Sequence, residues 1–318
     1  MTPSPSQGGG REPIAVVGAG LIGRAWAIVF ARAGHAVALH DADRAALADN
    51  LPVIDAALRD LGNAGLLEEP PSTVRARIRV AGTLDDALDG AAYVQENIRE
   101  TLEAKRDIFR RMDTVALPET ILASSTSTIT ASEITRDLAG RRLCLVAHPV
   151  NPPHLVPLVE LAPAPWTSPD VVARARDLLE KAGQVPVTVK KEVQGFILNR
   201  LQAALLGEAM RLYEDGHASA DDIDKCVRDG LGLRWSFMGP FETIDLNAPG
   251  GVTDYAARYG TLMYEMNRTQ VARPWGEALV KKLEAERRRS QPADTLADRQ
   301  AWRDRRLMAL RAHRKKEK

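Results

Sequence analysis

Ile14-Ala15-Val16-Val17-Gly18-Ala19-Gly20-Leu21-Ile22-Gly23 is the stretch that decides the fold. Four apolar residues read as a buried strand, and Gly18, Gly20 and Gly23 then match the spacing G-x-G-x-x-G. Glycines are common in turns, so the spacing alone says little. Its context says more, because the helical pattern that follows carries Trp26, Ile28, Val29 and Phe30. In a strand–turn–helix unit, Gly18 permits the tight turn and Gly20 lets a pyrophosphate approach the backbone. Gly23 lets the helix pack close to the sheet. The helix start, with Leu21 and Ile22, offers unpaired N–H groups and partial positive charge to phosphates. Asp41 closes the next apolar run, Ala36–His40, 23 residues after Gly18. A carboxylate there accepts hydrogen bonds from the adenosine ribose hydroxyls and repels a 2′-phosphate, so NAD is the expected cofactor.

Outward from this unit, short apolar runs alternate with helical patterns. Strands are expected at Ile78–Val80, Tyr93–Gln95, Ile121–Ala123, Leu143–Ala147, Leu158–Leu161 and Val185–Val189. Helices are expected at Ile22–Ala33, Arg44–Leu61, Thr101–Met112 and Val171–Ala182. This alternation predicts an α/β protein with a Rossmann-type, doubly wound, mostly parallel sheet. After about Lys191 the strands stop. Phe196–Tyr213, Ala220–Asp229, Val252–Met266, Pro274–Arg288 and Thr295–Ala312 have helical period, and Ser219 with Asp222 gives a helix-start signal. The expected domains are a flexible extension at 1–12, an NAD-binding domain at 13–191 and an all-helical substrate and dimerisation domain at 192–318.

Composition limits the function classes. A chain of 318 residues tends to divide into two domains. A net charge of +1 gives no global pointer to nucleic acid. No apolar run is long enough to span a membrane. Cys144 and Cys226 stand apart, which indicates neither a disulfide framework nor a metal site and fits the cytoplasm. The basic residues from Arg303 to Lys318 read as a solvated helix face and tail.

Chemistry-bearing residues collect at strand ends. Among six histidines, His148 ends an apolar strand and precedes Pro149. In open parallel sheets ligands bind outside the carboxyl ends of strands, so His148 is either a catalytic or a structural residue facing that crevice. Ser124-Ser125-Thr126-Ser127 ends another strand. It reads as a hydroxyl cluster or as a polar loop before a helix capped by Thr130 and Glu133. Glu160 lies inside the apolar run Leu155–Leu161. A carboxylate there needs a partner, and a histidine is a suitable one, forming a base-orienting pair.

His148-Pro149-Val150-Asn151-Pro152, Glu160, the serine loop and Gly195-Phe196-Ile197-Leu198-Asn199-Arg200-Leu201 together resemble the 3-hydroxyacyl-CoA dehydrogenase superfamily. The segments Gly230–Trp235, Gly239–Thr243 and Arg299–Asp304 resemble its lambda-crystallin, or L-gulonate 3-dehydrogenase, branch. The resemblance implies that His148 is the general base, that Glu160 orients it, and that Ser127 and Asn199 contact substrate. It implies cofactor contacts from Ser127, Asn151, Glu100 and Lys105, and a homodimer formed through the helical domain. Where the family has asparagine before Thr-Ser, this chain has Ser125, whose reach is shorter. Leu233-Arg234-Trp235-Ser236-Phe237-Met238 replaces the short glycine-rich link of the acyl-CoA enzymes. Arg234 is thus either a fork for a substrate carboxylate or a structural ion-pair partner. The resemblance therefore implies NAD-dependent oxidation of the 3-hydroxyl of a small acid. L-carnitine dehydrogenases look similar in this same segment.

Overall fold

The computed structural model describes residues 11–316, so the extension expected at 1–12 lies almost wholly outside the described residues. Eight strands form one sheet: β1 (Arg11–Val17), β2 (His35–His40), β3 (Ile78–Val80), β4 (Tyr93–Glu96), β5 (Ile121–Ser124), β6 (Cys144–Pro149), β7 (Leu158–Pro163) and β8 (Val185–Thr188). Their order is β3-β2-β1-β4-β5-β6-β7-β8. Every neighbouring pair is parallel except β6 with β7. The chain winds outward from β1 to β3, then returns to the other side of β1 at β4. This reversal opens a crevice at the carboxyl ends of β1 and β4, where doubly wound sheets bind ligands.

Both faces of the sheet are covered, which is why its strands read as continuous apolar runs. Ile14 and Val16 pack with Trp26, Phe30 and Leu179 on one face. Ala15 and Val17, displaced by one residue and so pointing the other way, pack with Phe109 and Met112. The first helix, Leu21–Arg32, is buried along almost its whole length. Trp26 and Phe30, one helical turn apart, stack with ring centroids 5.1 Å apart. Such close seating requires Gly23, where a Cβ would lie 1.7 Å from the carbonyl oxygen of Gly18.

The chain divides into two compact units. One holds the sheet, ends at Asn199 and resumes at Ala301; the other is Arg200–Gln300. The sheet unit therefore includes most of the last helix, Leu296–Lys316. That helix is not wholly a solvated face. Met308 joins the apolar core, and Arg311 donates to the carbonyl of Leu155 at 3.2 Å.

In the helical unit, the Ser219 hydroxyl accepts from the Asp222 N–H and caps Ala220–Lys225. The helix expected to continue to Asp229 changes character at Cys226, where Cys226–Leu231 is wound as a π-helix. Gly251–Thr269 and Glu277–Ser290 complete the longer helices of this unit. Its internal apolar cluster is small, built on Met210, Tyr213, Ala220 and Leu279. No helix of the described residues is long and apolar enough to cross a membrane.

Candidate active site

The glycine turn is shaped to receive a dinucleotide. Gly18 has φ +94°, and a Cβ on it would meet the Asn97 backbone at 2.8 Å. Gly20 differs, because a Cβ there would meet nothing within 4 Å. The backbone at Gly20 is thus open to a close-approaching group. The first helix begins at Leu21 with no side-chain cap and no acidic residue in its first turn, so its N–H groups and dipole remain available to phosphate. Asp41 follows β2 and accepts from the Ala19 N–H at 2.7 Å and the Asp43 N–H at 2.9 Å. These bonds tie the acid to the glycine turn. The residues present fit a bound NAD.

A second constellation lies on β6 and β7. Antiparallel register places His148 opposite Glu160, and opposed side chains on neighbouring strands lie close enough to interact. His148 Nδ1 and Glu160 Oε2 are 2.8 Å apart. The His148 residue is 5% exposed and Glu160 1%, so neither group is dissolved in bulk water. The other carboxylate oxygen, Oε1, accepts from the N–H groups of Ile197 at 2.8 Å and Leu198 at 2.9 Å. These groups belong to the N-terminus of the helix Leu198–Glu214, whose dipole favours a negative charge.

The link that aims them is conformationally costly. Gly195 has φ +75° and Phe196 has φ +51°. A buried phenylalanine with positive φ is a departure that surrounding packing must hold in place. Its ring lies 5.3 Å from the His148 ring, centroid to centroid. Phe196 thus packs against the imidazole while its backbone turns the next two N–H groups onto Glu160. Burial pushes the Glu160 carboxyl up. The hydrogen bonds from His148, Leu198 and Ile197 outweigh that effect and hold it below the usual carboxylate range. An ionised carboxylate only accepts, so Nδ1 must donate. In neutral imidazole that leaves Nε2 as an acceptor, and it has no partner among the described residues.

The serine loop is held by a buried ionic network. Lys105, 1% exposed, donates to Glu96 at 3.0 and 3.2 Å and lies 3.3 Å from Glu100 Oε2. Glu100 Oε1 in turn accepts from the Thr126 hydroxyl at 2.6 Å and the Ser127 N–H at 2.8 Å. Asn199 Nδ2 donates to the Ser127 carbonyl at 3.0 Å. Ser127 is therefore gripped through both backbone polar groups, while its hydroxyl has no partner among the described residues. The Lys105 ammonium is committed to carboxylates inside the protein.

Ser125 is committed as well. Its hydroxyl accepts from Trp26 Nε1 at 3.0 Å and Gln95 Nε2 at 2.7 Å, and donates to Asn97 at 2.7 Å. All its hydrogen-bonding capacity is used within the fold.

His148, Glu160, Ser127, Asn199, Asn151, Asp41 and the glycine turn all belong to the sheet unit. Asn151 is exposed just beyond β6. Arg234 belongs to the helical unit, exposed on the short helix Gly232–Trp235. Three participants escaped sequence reasoning: Phe196, the N–H groups of Ile197 and Leu198, and Glu96. Gly195 before a long helix was the available signal for the first two. For Glu96 it was a carboxylate at the end of a buried strand. Among the described residues no cluster of His, Cys, Asp or Glu could hold a metal ion.

The lowered Glu160 pKa has a defined pH signature. Its contribution to stability is present above the ordinary carboxyl pKa of about 4.3 and is lost as pH falls through the lower folded value. Glu160→Gln should reduce unfolding free energy by about 1–3 kcal/mol at neutral pH, by urea titration. The gap from the unmodified chain should close below about pH 4. A gap independent of pH would show that ionised Glu160 is not what the helix start stabilises.

Comparison with known proteins agrees with this architecture. Residues 13–193 match the NAD binding domain of 3-hydroxyacyl-CoA dehydrogenase, and residues 195–293 match its C-terminal domain. The lambda-crystallin homolog of Mus musculus is 41% identical over 312 residues, covering 96% of both chains. The L-carnitine dehydrogenase of Pseudomonas aeruginosa is 35% identical over 304 residues, covering 94% of this chain and 92% of that one. Among solved structures, an NAD+-dependent dismutase, 5-formyl-3-hydroxy-2-methylpyridine 4-carboxylic acid 5-dehydrogenase, is similar with a TM-score of 0.82 and 30% identity. The match covers 94% of this chain and 97% of that one. The chain belongs to the 3-hydroxyacyl-CoA dehydrogenase family, whose NAD-binding and C-terminal domains it carries in order.

Proposed function

We propose that this chain oxidises the 3-hydroxyl of a small, L-gulonate-like hydroxy acid to the 3-keto acid, with His148 as general base. The supporting observation is the His148–Glu160 pair. Its geometry ties Nδ1 to a carboxylate and leaves Nε2 without a protein partner, as a base needs if it is to take a hydroxyl proton. Glu160 would stabilise the imidazolium formed when His148 accepts that proton, and hold its ring in one orientation. The Ser127 hydroxyl and the second N–H of the Asn199 amide would donate to the substrate oxygen as it becomes a ketone. Arg234, exposed on Gly232–Trp235, has the planar fork that a carboxylate calls for. Bound NAD supplies the acceptor for the hydride from carbon 3.

The resemblance to the lambda-crystallin branch favours the gulonate-like acid. A second reading, L-carnitine as substrate, draws on the L-carnitine dehydrogenase relatives. It is also favoured by Trp235 and Phe237, exposed on the segment that carries Arg234, because aromatic faces bind quaternary ammonium groups. His148→Gln should lower kcat by about 10²–10⁴ in steady-state NADH assays and leave the NADH dissociation constant nearly unchanged. Equal loss of both in a folded variant would make His148 a structural residue. Assay with L-gulonate, L-carnitine and 3-hydroxybutyryl-CoA decides the substrate. The highest kcat/KM is expected for the gulonate-like acid. If no 3-hydroxy acid turns over, a structural, crystallin-like role replaces the enzymatic one.

In this reading the enzyme is cytoplasmic, its two cysteines free, and works as a homodimer joined through the helical unit. That unit exposes Leu201, Phe237, Phe241 and Leu246 at 60–80% of their surface, apolar side chains that a homodimer contact would cover. Sedimentation equilibrium should give twice the chain mass of 34.7 kDa. A single-chain mass at working concentrations would remove the dimer.

A further inference from the structure

The sheet unit contains a second concavity, away from the glycine turn. A cavity of about 650 Å³ is walled by Arg11, Arg32, Lys181, Arg311, Arg314 and Lys315, with Glu68 and Glu69 the only acids among the described residues that line it. Arg11 opens β1 and Gly34 precedes β2, so this cavity lies toward the amino ends of the strands. The glycine turn lies at the carboxyl end of β1. The first helix joins the two places. Leu21 starts beside the glycine turn, and Arg32 ends the 12-residue helix in the cavity wall, about 17 Å along the axis.

The charges in this cavity do not balance. Lys181 is paired with Asp177 at 2.6 Å, and Lys315 faces Glu68 at 3.7 Å. Glu69 is held by both guanidinium nitrogens of Arg77, at 2.6 and 2.8 Å. Arg11, Arg32, Arg311 and Arg314 remain. Among the described residues none of these four has a carboxylate partner. Arg11 donates to the Lys181 carbonyl, Arg32 to the His154 carbonyl at 2.8 Å, and Arg311 to the Leu155 carbonyl. Carbonyl dipoles satisfy N–H groups but do not neutralise a cation.

The cations also press on one another. Burial first, then Arg311, draws the Arg32 guanidinium down to about 10. Burial and then Arg314 lower Arg311. His154, behind this wall, is brought to about 4 by burial and by Arg32, Arg24 and Arg311. One arginine in the last turn of a helix is ordinary complementation of its dipole. That accounts for Arg32 and for Arg314, which lies in the last turn of Leu296–Lys316, and not for Arg11 or Arg311. Arg32 and Arg311 are partly buried, and withdrawn like charges without counter-charge are unfavourable; with exposed Arg314 they make three neighbouring guanidinium forks that suit the oxygens of phosphate.

We infer that this cavity is a binding site for a small polyphosphate-bearing anion, distinct from the dinucleotide site. The shared chemistry is the polyphosphate, carried either by a nucleotide or by an inorganic chain. Leu66, Leu67 and Val185 give the cavity an apolar side that a base or sugar could cover.

Calorimetric titration of the full chain tests this, with NADH saturating so that the glycine turn is already filled. The probes are sodium tripolyphosphate and ATP. One site per chain with a dissociation constant of about 100 μM or tighter at low salt is expected. Arg314→Gln, at an exposed position, and Arg311→Gln should each weaken binding by about tenfold. NADH affinity should be unchanged in both. Tighter binding of ATP than of tripolyphosphate assigns the apolar side to a nucleoside; equal binding assigns the site to the phosphates alone. No saturable binding up to about 10 mM, or affinity untouched in both variants, overturns the inference.

Discussion

The candidate site is built around one carboxylate kept charged in a place that disfavours charge. Glu160 is almost fully buried, and an isolated ion there would neutralise itself. It remains ionised because three N–H groups converge on it, two from a helix start and one from His148. The remaining features serve that convergence. The single antiparallel pair in the sheet sets the acid opposite the histidine. The positive φ of Phe196 turns the backbone so that a helix begins where Oε1 lies. The fixed acid then determines which imidazole nitrogen carries the proton.

A comparable device holds the serine loop. Glu96 and Lys105 form a buried pair at the end of β4, and Glu100 extends it to the Ser127 N–H. Removing one member would leave an uncompensated charge, so the network is costly to break even where its net stabilisation is small. The loop also bonds to the first residues of the long helix through Asn199. The Ser127 loop and the His148 pair thus rest against the same helix start, and displacement of that helix would move both.

Much of the fold was legible because local pattern and tertiary need coincide. Ile14–Val17 must be apolar on both sides to lie between two helical layers, and it is. The glycine spacing could be read because a turn with φ +94° and a Cβ-free contact at Gly23 admit no other residue easily. His148 at a strand end and Glu160 inside an apolar run were visible as chemistry. The support behind them was not. Backbone N–H groups carry no residue signature, so the help given by Ile197 and Leu198 to Glu160 cannot be seen from side-chain types. Ser125 looked like a shortened cofactor contact. Its three internal partners, one of them Trp26, 99 positions away, are long-range consequences of topology. The π-helix at Cys226–Leu231 also left no trace in the helical period. In the basic tail, charge composition suggested solvent, while Arg311 is seated against the sheet unit.

Ionised Glu160 would fix the proton of a neutral His148 ring on Nδ1 and leave Nε2 bare. Imidazole nitrogen chemical shifts, measured by nuclear magnetic resonance on the folded chain at neutral pH, report that tautomer directly. A protonated Nδ1 and an unprotonated Nε2 are expected for the neutral His148 ring. A proton resident on Nε2 with Nδ1 bare would contradict it.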